Sequence, residues 1–364
     1  MRWSRSHAVL FAAASALGAG YAFTVEPPSP PKAPGPLDTS CVSCHSQLDG
    51  AAAEPTRKAA EDIHFIKGLS CHDCHGGNPA AGFDGDPFAA HDESKGWTGK
   101  PSRLKIPELC ARCHADAVFM KRFDSHARVD QLSEYRTSVH GKKNAAGDER
   151  VAVCVDCHGV HGIRRVGDPL SSASPAKVTG TCGSCHGQEA TLFREMESKR
   201  RLDLEACIRC VICHGNHAIA QPGDEMVGTG PGSTCTGCHA EGDPGYRAAS
   251  QMSDLLAKLQ GRLADADRIL GDAQRAGVEV GPDLFALRKA RDNLVEARVL
   301  VHSFDIERFA GVTAEGVAAA EEGVEAGRRA FAKLTSRRVG LSLLLVVIFA
   351  VIVSLALVIR RRER

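Results

Sequence analysis

Aromatic side chains are scarce in this chain of 364 residues: Phe, Trp and Tyr together make up 5% of it. Those residues normally supply the large flat surfaces that fill a core, so their scarcity points to another source of that surface. Net charge is lacking as well. The 45 basic and 44 acidic residues leave a formal +1, which gives no reason to expect nucleic acid as a partner. Length alone allows one to three domains.

Cysteine, by contrast, is abundant. Fourteen of 15 cysteines form seven CxxC pairs, and a histidine follows every pair. They are Cys41, Cys44 and His45; Cys71, Cys74 and His75; Cys110, Cys113 and His114; and Cys154, Cys157 and His158. Cys182, Cys185 and His186, then Cys210, Cys213 and His214, and finally Cys235, Cys238 and His239 complete the set. Histidine is 16 of 364 residues, so its presence after all seven pairs is not chance. A disulfide framework needs no histidine there. Zinc ribbons use two pairs per metal and place no demand on the next residue, and a thioredoxin-like motif would occur once. C-x-x-C-H is the attachment site of c-type haem. Thiols at i and i+3 share one side of a helical turn and meet two vinyl groups of a porphyrin, and the next imidazole reaches the iron. The expected cofactor is therefore haem c, seven times, covalently attached.

The chain divides by composition. Residues 1–22 read as a signal peptide, with Arg2 and Arg5 ahead of an apolar run, and residues 23–37 as a proline-rich linker. A heptahaem region follows over 38–245, with short helices at the motifs joined by extensive loop. Over 246–338 Met252, Leu255, Leu256, Leu259, Leu263, Ala266, Ile269 and Leu270 recur at helical spacing. A second helix is expected from near Asp283 and a third from about Thr313 to Arg338, together a helical bundle or stalk. Residues 339–359 contain an uncharged apolar run long enough to cross a bilayer, and 360–364 form a basic tail expected in the cytoplasm. The fold class is thus mainly α: a multihaem block, long helices and one C-terminal transmembrane helix. Export places the haem region in the periplasm, with the anchor a single pass through a bacterial inner membrane.

Each proximal histidine leaves one iron position for a second ligand. His64, His91, His126, His140, His161, His217 and His302 are the candidates. His161 and His217 follow a proximal histidine by three residues and are expected to reach a neighbouring haem. His302, alone in the helical region, would dock that region onto the haem block. His72, inside CHDCH, reads as an exposed loop residue. Met120, Met196, Met226 and Met252 are possible sixth ligands too. Cys207 is surplus: a buried thiol, an alternative attachment point or an axial thiolate.

These residues resemble the multihaem cytochromes c of bacterial respiration, the broad group with cytochrome c nitrite reductase, hydroxylamine oxidoreductase and membrane-anchored quinol-linked cytochromes. The likeness spans Cys41 to His302 and rests on the seven CxxCH sites, TSVHG at Thr137–Gly141, CHG-x-H twice, and the haem-free helices. It implies respiratory electron transfer, with departures. No CxxCK site matches the nitrite reductase centre, no tyrosine can be matched to the hydroxylamine oxidoreductase crosslink, and the anchor is C-terminal. The expectation is an electron carrier rather than a reductase, between an inner-membrane redox partner or quinol-oxidising complex and periplasmic electron acceptors. The alternative is an oxidoreductase acting on a small nitrogen or sulfur oxyanion at one five-coordinate haem.

Overall fold

The computed structural model describes residues 38–82, 86, 88–200 and 209–363. The expected signal peptide, proline-rich linker and Cys207 lie outside them. The described residues are mostly helical and contain no strand.

From Ser40 to Gly237 most helices are short, and five of them carry motifs: Ser40–His45, Cys71–His75, Ile106–His114, Cys154–His158 and Cys210–His214. The fifth motif begins at the end of helix Val178–Gly183, and the seventh starts in a 3-10 turn, Cys235–Gly237. Local chemistry starts and stops these turns. Thr39 caps the first by accepting from the Val42 N–H at 3.3 Å. In CHDCH and CVDCH the acidic residue between the cysteines folds back: Asp73 accepts from the Ser70 N–H and Asp156 from the Val153 N–H, both at 2.7 Å. Glycine ends three of the helices directly after the proximal histidine. Gly76, Gly159 and Gly215 have φ of 69°, 91° and 75°, a region open to glycine without steric cost. Gly159 and Gly215 thereby turn the chain so that His161 and His217 leave their own motif.

The main apolar core lies in three long helices. The first, Pro244–Arg275, opens with Asp243 accepting from the Tyr246 N–H at 2.7 Å and with Pro244 at its first position. It ends ahead of Gly277, φ 84°. Met252, Leu256, Leu259, Leu263, Ala266 and Leu270 are buried, as their spacing predicts, and Leu255 and Ile269 pack at the edge of the same core. The return segment is interrupted at Leu287, giving Gly281–Ala286 and Arg288–Leu300 instead of one helix. The third helix begins earlier than its expected start near Thr313 and does not stop at Arg338. Ile306–Arg362 is one helix of 57 residues.

Contacts fix the directions. A Cβ on Gly316 would meet Leu259 and Asn293, one on Gly323 would meet Leu287, Ala266 and Leu270, and one on Gly327 would meet Ile269. The first and third helices therefore run parallel and in direct contact, with the return segment antiparallel beside them. Small residues let the backbones approach there. Above the bundle, Gly340–Ile359 is fully exposed and is long and apolar enough to cross a membrane.

The motif block meets this bundle at its lower end only, among the described residues. Asp224 takes two charge-assisted bonds from Arg298, at 2.9 and 2.8 Å, and a further one from Gln260. Leu192 and Val227 join the bundle core. Between the return segment and the third helix, Phe304 has φ 49°, the one described non-glycine residue with positive φ. Its ring packs with buried Phe193 and Met196, which holds a conformation that costs about 1–2 kcal/mol two residues from His302.

Candidate haem sites

The seven motifs follow one another in space in chain order. The first cysteines meet as hydrogen-bonded thiols in three junctions: Cys41 with Cys71, Cys110 with Cys154, and Cys182 with Cys210. That bond lowers the pKa at Cys41 and Cys154 and raises it at Cys71, Cys110 and Cys182, with burial opposing the first effect and adding to the second. The second cysteines make the alternate junctions, Cys74 beside Cys113 and Cys157 beside Cys185. Cys213 lies near both Cys235 and Cys238. Arg112 ties the second junction by donating to the Cys74 carbonyl at 2.7 Å.

Six of the seven proximal histidines face a second imidazole. His45 faces His91, with ring centroids 6.2 Å apart; His75 faces His161 at 6.3 Å; His114 faces His64 at 6.0 Å. His158 faces His217 at 6.2 Å, His186 faces His140 at 6.4 Å, and His214 faces His302 at 6.1 Å. These rings are too far apart for stacking contact and too regular in spacing for accident. Two imidazoles sharing one ion have a metal–nitrogen bond of roughly 2.0–2.1 Å on each side; with a ring radius of about 1.1 Å, their centroids lie about 6.3 Å apart. The residues present therefore fit an iron porphyrin between each pair. Among the described residues no three of His, Cys, Asp and Glu converge on one point; the imidazoles come together in twos.

The imidazoles are also held in the form that ligation needs. Burial pushes His114, His140, His158, His161, His214 and His217 below the usual imidazole range, so each keeps a free lone pair at neutral pH. Partners on the other ring nitrogen set the orientation. His45 Nδ1 lies 2.9 Å from the Ala52 carbonyl oxygen, His75 Nδ1 2.9 Å from that of Gly99, and His302 Nδ1 2.9 Å from that of Val299. For His64 the partner is a carboxylate, Asp62 Oδ1 at 2.9 Å; Glu134 Oε2 stands 3.6 Å from His217 Nδ1, beyond hydrogen-bond reach.

Asp62 does more than hold His64. It is buried, and its two oxygens also accept from the backbone N–H of His64 and of Ile163, at 2.9 and 3.0 Å. Burial works against its charge, but these hydrogen bonds outweigh it and keep the carboxyl below its ordinary range. One carboxylate thus positions His64 and, through Ile163, the loop that carries His161. The sequence carried a sign of it, an acidic residue two before the histidine, in a pattern that folds as an Asx turn. Trp97 is a second residue the motif reading passed over. Its indole stacks on His91 at 4.4 Å and lies 6.0 Å from His75.

Not every expected ligand finds a partner. His126 is exposed, its backbone N–H on Asp124, and no proximal ring faces it among the described residues. His72 is half-buried inside the helix Cys71–His75, not exposed in a loop, with its Nε2 3.9 Å from Asp73 Oδ2. Met196 and Met252 are buried in apolar clusters. His239 stands apart, with no imidazole opposite it among the described residues.

A mostly helical chain with CxxCH turns and opposed imidazole pairs defines a class, the c-type cytochromes. A family model described as cytochrome c554 and c-prime matches residues 109–187, the span of the third, fourth and fifth motifs. The match supports a c-type cytochrome, and that family implies covalently bound haem c. No solved structure matches the chain.

Proposed function

We propose that this is a membrane-anchored, periplasmic electron-transfer protein with seven covalent haem c groups. It relays electrons between an inner-membrane donor, such as a quinol-oxidising complex, and periplasmic acceptors in respiration. The observation that carries the reading is the set of six imidazole pairs, all at 6.0–6.4 Å. Haem c, once attached, supplies a reversible one-electron couple whose potential depends on axial ligands, hydrogen bonds and burial.

The chain supplies the rest. Its cysteine pairs fix seven attachment edges in a row. At six of them its paired imidazoles would hold the iron from both sides, which favours electron transfer over substrate chemistry. Asp62 on the Nδ1 of His64 raises the donor strength of that imidazole. The bundle contributes His302, so the helices that lead to the anchor also complete a site in the relay.

The test is the full-length protein matured in a host that attaches haem c. Intact mass is expected to exceed the processed polypeptide by seven haems, and a redox-titrated absorption and paramagnetic resonance series is expected to show six low-spin bis-imidazole centres. A colourless product, or a mass matching bare polypeptide, overturns the reading.

A further inference from the structure

The distal imidazoles follow a repeat of two motifs. The N–H of Ile63, next to His64, donates to the carbonyl of Ile163, two residues past His161, at 2.7 Å. The N–H of Val139, next to His140, donates to the carbonyl of Ile219, two residues past His217, at 2.8 Å. The assignments match in the same way. His64, ahead of the second motif, faces the third motif's His114, while His161, after the fourth, faces the second motif's His75. His140, ahead of the fourth motif, faces the fifth motif's His186, while His217, after the sixth, faces the fourth motif's His158. Advancing every partner by two motifs turns the first set into the second.

One more step assigns the seventh motif a histidine lying between the fifth motif and the sixth. The stretch from Gly187 to Arg209 contains none. This is the position at which the repeat loses its ligand, and it is the motif whose proximal histidine faces no second ring among the described residues.

The proximal side of this motif differs as well. Where His45 and His75 have backbone carbonyls on Nδ1, His239 has the Asp243 carboxylate at 3.3 Å. Its ring lies flat over Gly245, where a Cβ would come within 2.1 Å of Cε1. The side chain is 43% exposed, so solvent reaches this motif. A carboxylate on the far nitrogen raises the basicity of a ligating imidazole. Greater donation to the iron strengthens the bond to a ligand that accepts π density in return.

We propose that the seventh site is five-coordinate through His239 and takes a diatomic π-acceptor ligand from solution. The proposal rests on the haem reading above. Its test uses the full-length holoprotein with carbon monoxide on the reduced form and cyanide on the oxidised form as probes. One high-spin ferric centre per seven haems and one carbon monoxide bound per chain are expected. In the variant carrying Cys235→Ser and Cys238→Ser, the mass is expected to fall by one haem, and the high-spin signal and carbon monoxide binding to vanish together. Asp243→Asn keeps a capping side chain at the head of the first bundle helix. It is expected to lower the iron–imidazole stretching frequency of the high-spin centre, and this holds even if the double variant fails to mature. Seven haems that are all low-spin overturn the proposal without touching the haem reading. So does a seventh centre that becomes high-spin only on Met226→Ala, and so does carbon monoxide binding that survives loss of the seventh haem. A product with no haem overturns the haem reading itself.

Discussion

At the scale of single residues, the angle between paired rings is as informative as their distance. Three pairs are close to parallel: His158 with His217 at 15°, His214 with His302 at 20°, and His75 with His161 at 33°. Three are steeply crossed: His140 with His186 at 60°, His45 with His91 at 73°, and His64 with His114 at 88°. Parallel imidazoles donate into the same iron d orbital and split a degenerate pair; crossed ones leave it nearly degenerate, which makes the magnetic response strongly anisotropic. The paramagnetic resonance spectrum of the oxidised protein is therefore expected to contain three rhombic low-spin signals and three with a large maximal g value. Replacing His91 with Ala should remove one large-g signal, whereas His126→Ala should leave the spectrum unchanged. A rhombic loss on His91→Ala, or any low-spin loss on His126→Ala, contradicts the pairing.

Asp62 makes the same point in stability. Asp62→Ala leaves the Nδ1 of His64 and two backbone N–H groups without their acceptor, an expected cost of about 1–3 kcal/mol. It should lower the thermal midpoint and perturb the third and second haems together, since His64 and His161 depend on the same carboxylate. Asp62→Asn retains an acceptor and is expected to recover most of the midpoint. The thiols and proximal histidines were legible from the sequence because CxxCH is a local pattern whose chemistry lies within five residues. The partners of the distal histidines were not. They depend on where Gly159 and Gly215 turn the chain and on which loop Ile163 or Ile219 reaches, which are tertiary facts.

At the scale of elements, the bundle was legible because its apolar residues recur at three and four over long stretches. Its ends were less so. The Leu287 interruption lies inside an unbroken apolar spacing, and the uncharged run after Gly340 reads as a separate element although the backbone passes into it without a break. The glycines of the third helix show what spacing does not reveal. Gly311 is exposed and a Cβ there would touch nothing within 4 Å, whereas on Gly327 it would lie 2.6 Å from Ile269 Cγ2. Gly311→Ala is expected to stabilise the bundle by about 0.5–1 kcal/mol. Gly327→Ala is expected to destabilise it by about 1–3 kcal/mol because β-branched Ile269 has little rotamer freedom to yield. Adding Ile269→Ala should recover part of that loss. Thermal unfolding followed by helix circular dichroism, in detergent, separates the two outcomes; equal effects at both glycines would mean that the parallel packing of the first and third helices is wrong.

At the scale of the whole molecule, the apolar run and the His302 turn lie at opposite ends of one long helix. The turn bearing His302 and Phe304 sits at its base, and Gly340 begins the exposed apolar stretch. The intervening helix, at about 1.5 Å per residue over roughly 34 residues, spans about 50 Å. The described contacts between motif block and bundle cluster at the lower end, around Asp224, Gln260, Arg298 and Phe304. On the proposed function, a donor buried in the bilayer would face that separation, and a partner that rises from the membrane or diffuses beside it would not. A chain ended after Arg338 keeps the motifs, His302 and the bundle core while losing the apolar run. It is expected to fractionate as a soluble protein with unchanged haem spectra and midpoint potentials, whereas the full chain requires detergent for extraction. Its reduction by membranes holding the donor should slow and become dependent on its concentration, because a tethered encounter has become a bimolecular one. Altered spectra in the shortened protein would mean that the anchor supports the haem sites directly; an unchanged reduction rate would mean that tethering plays no part in meeting the donor.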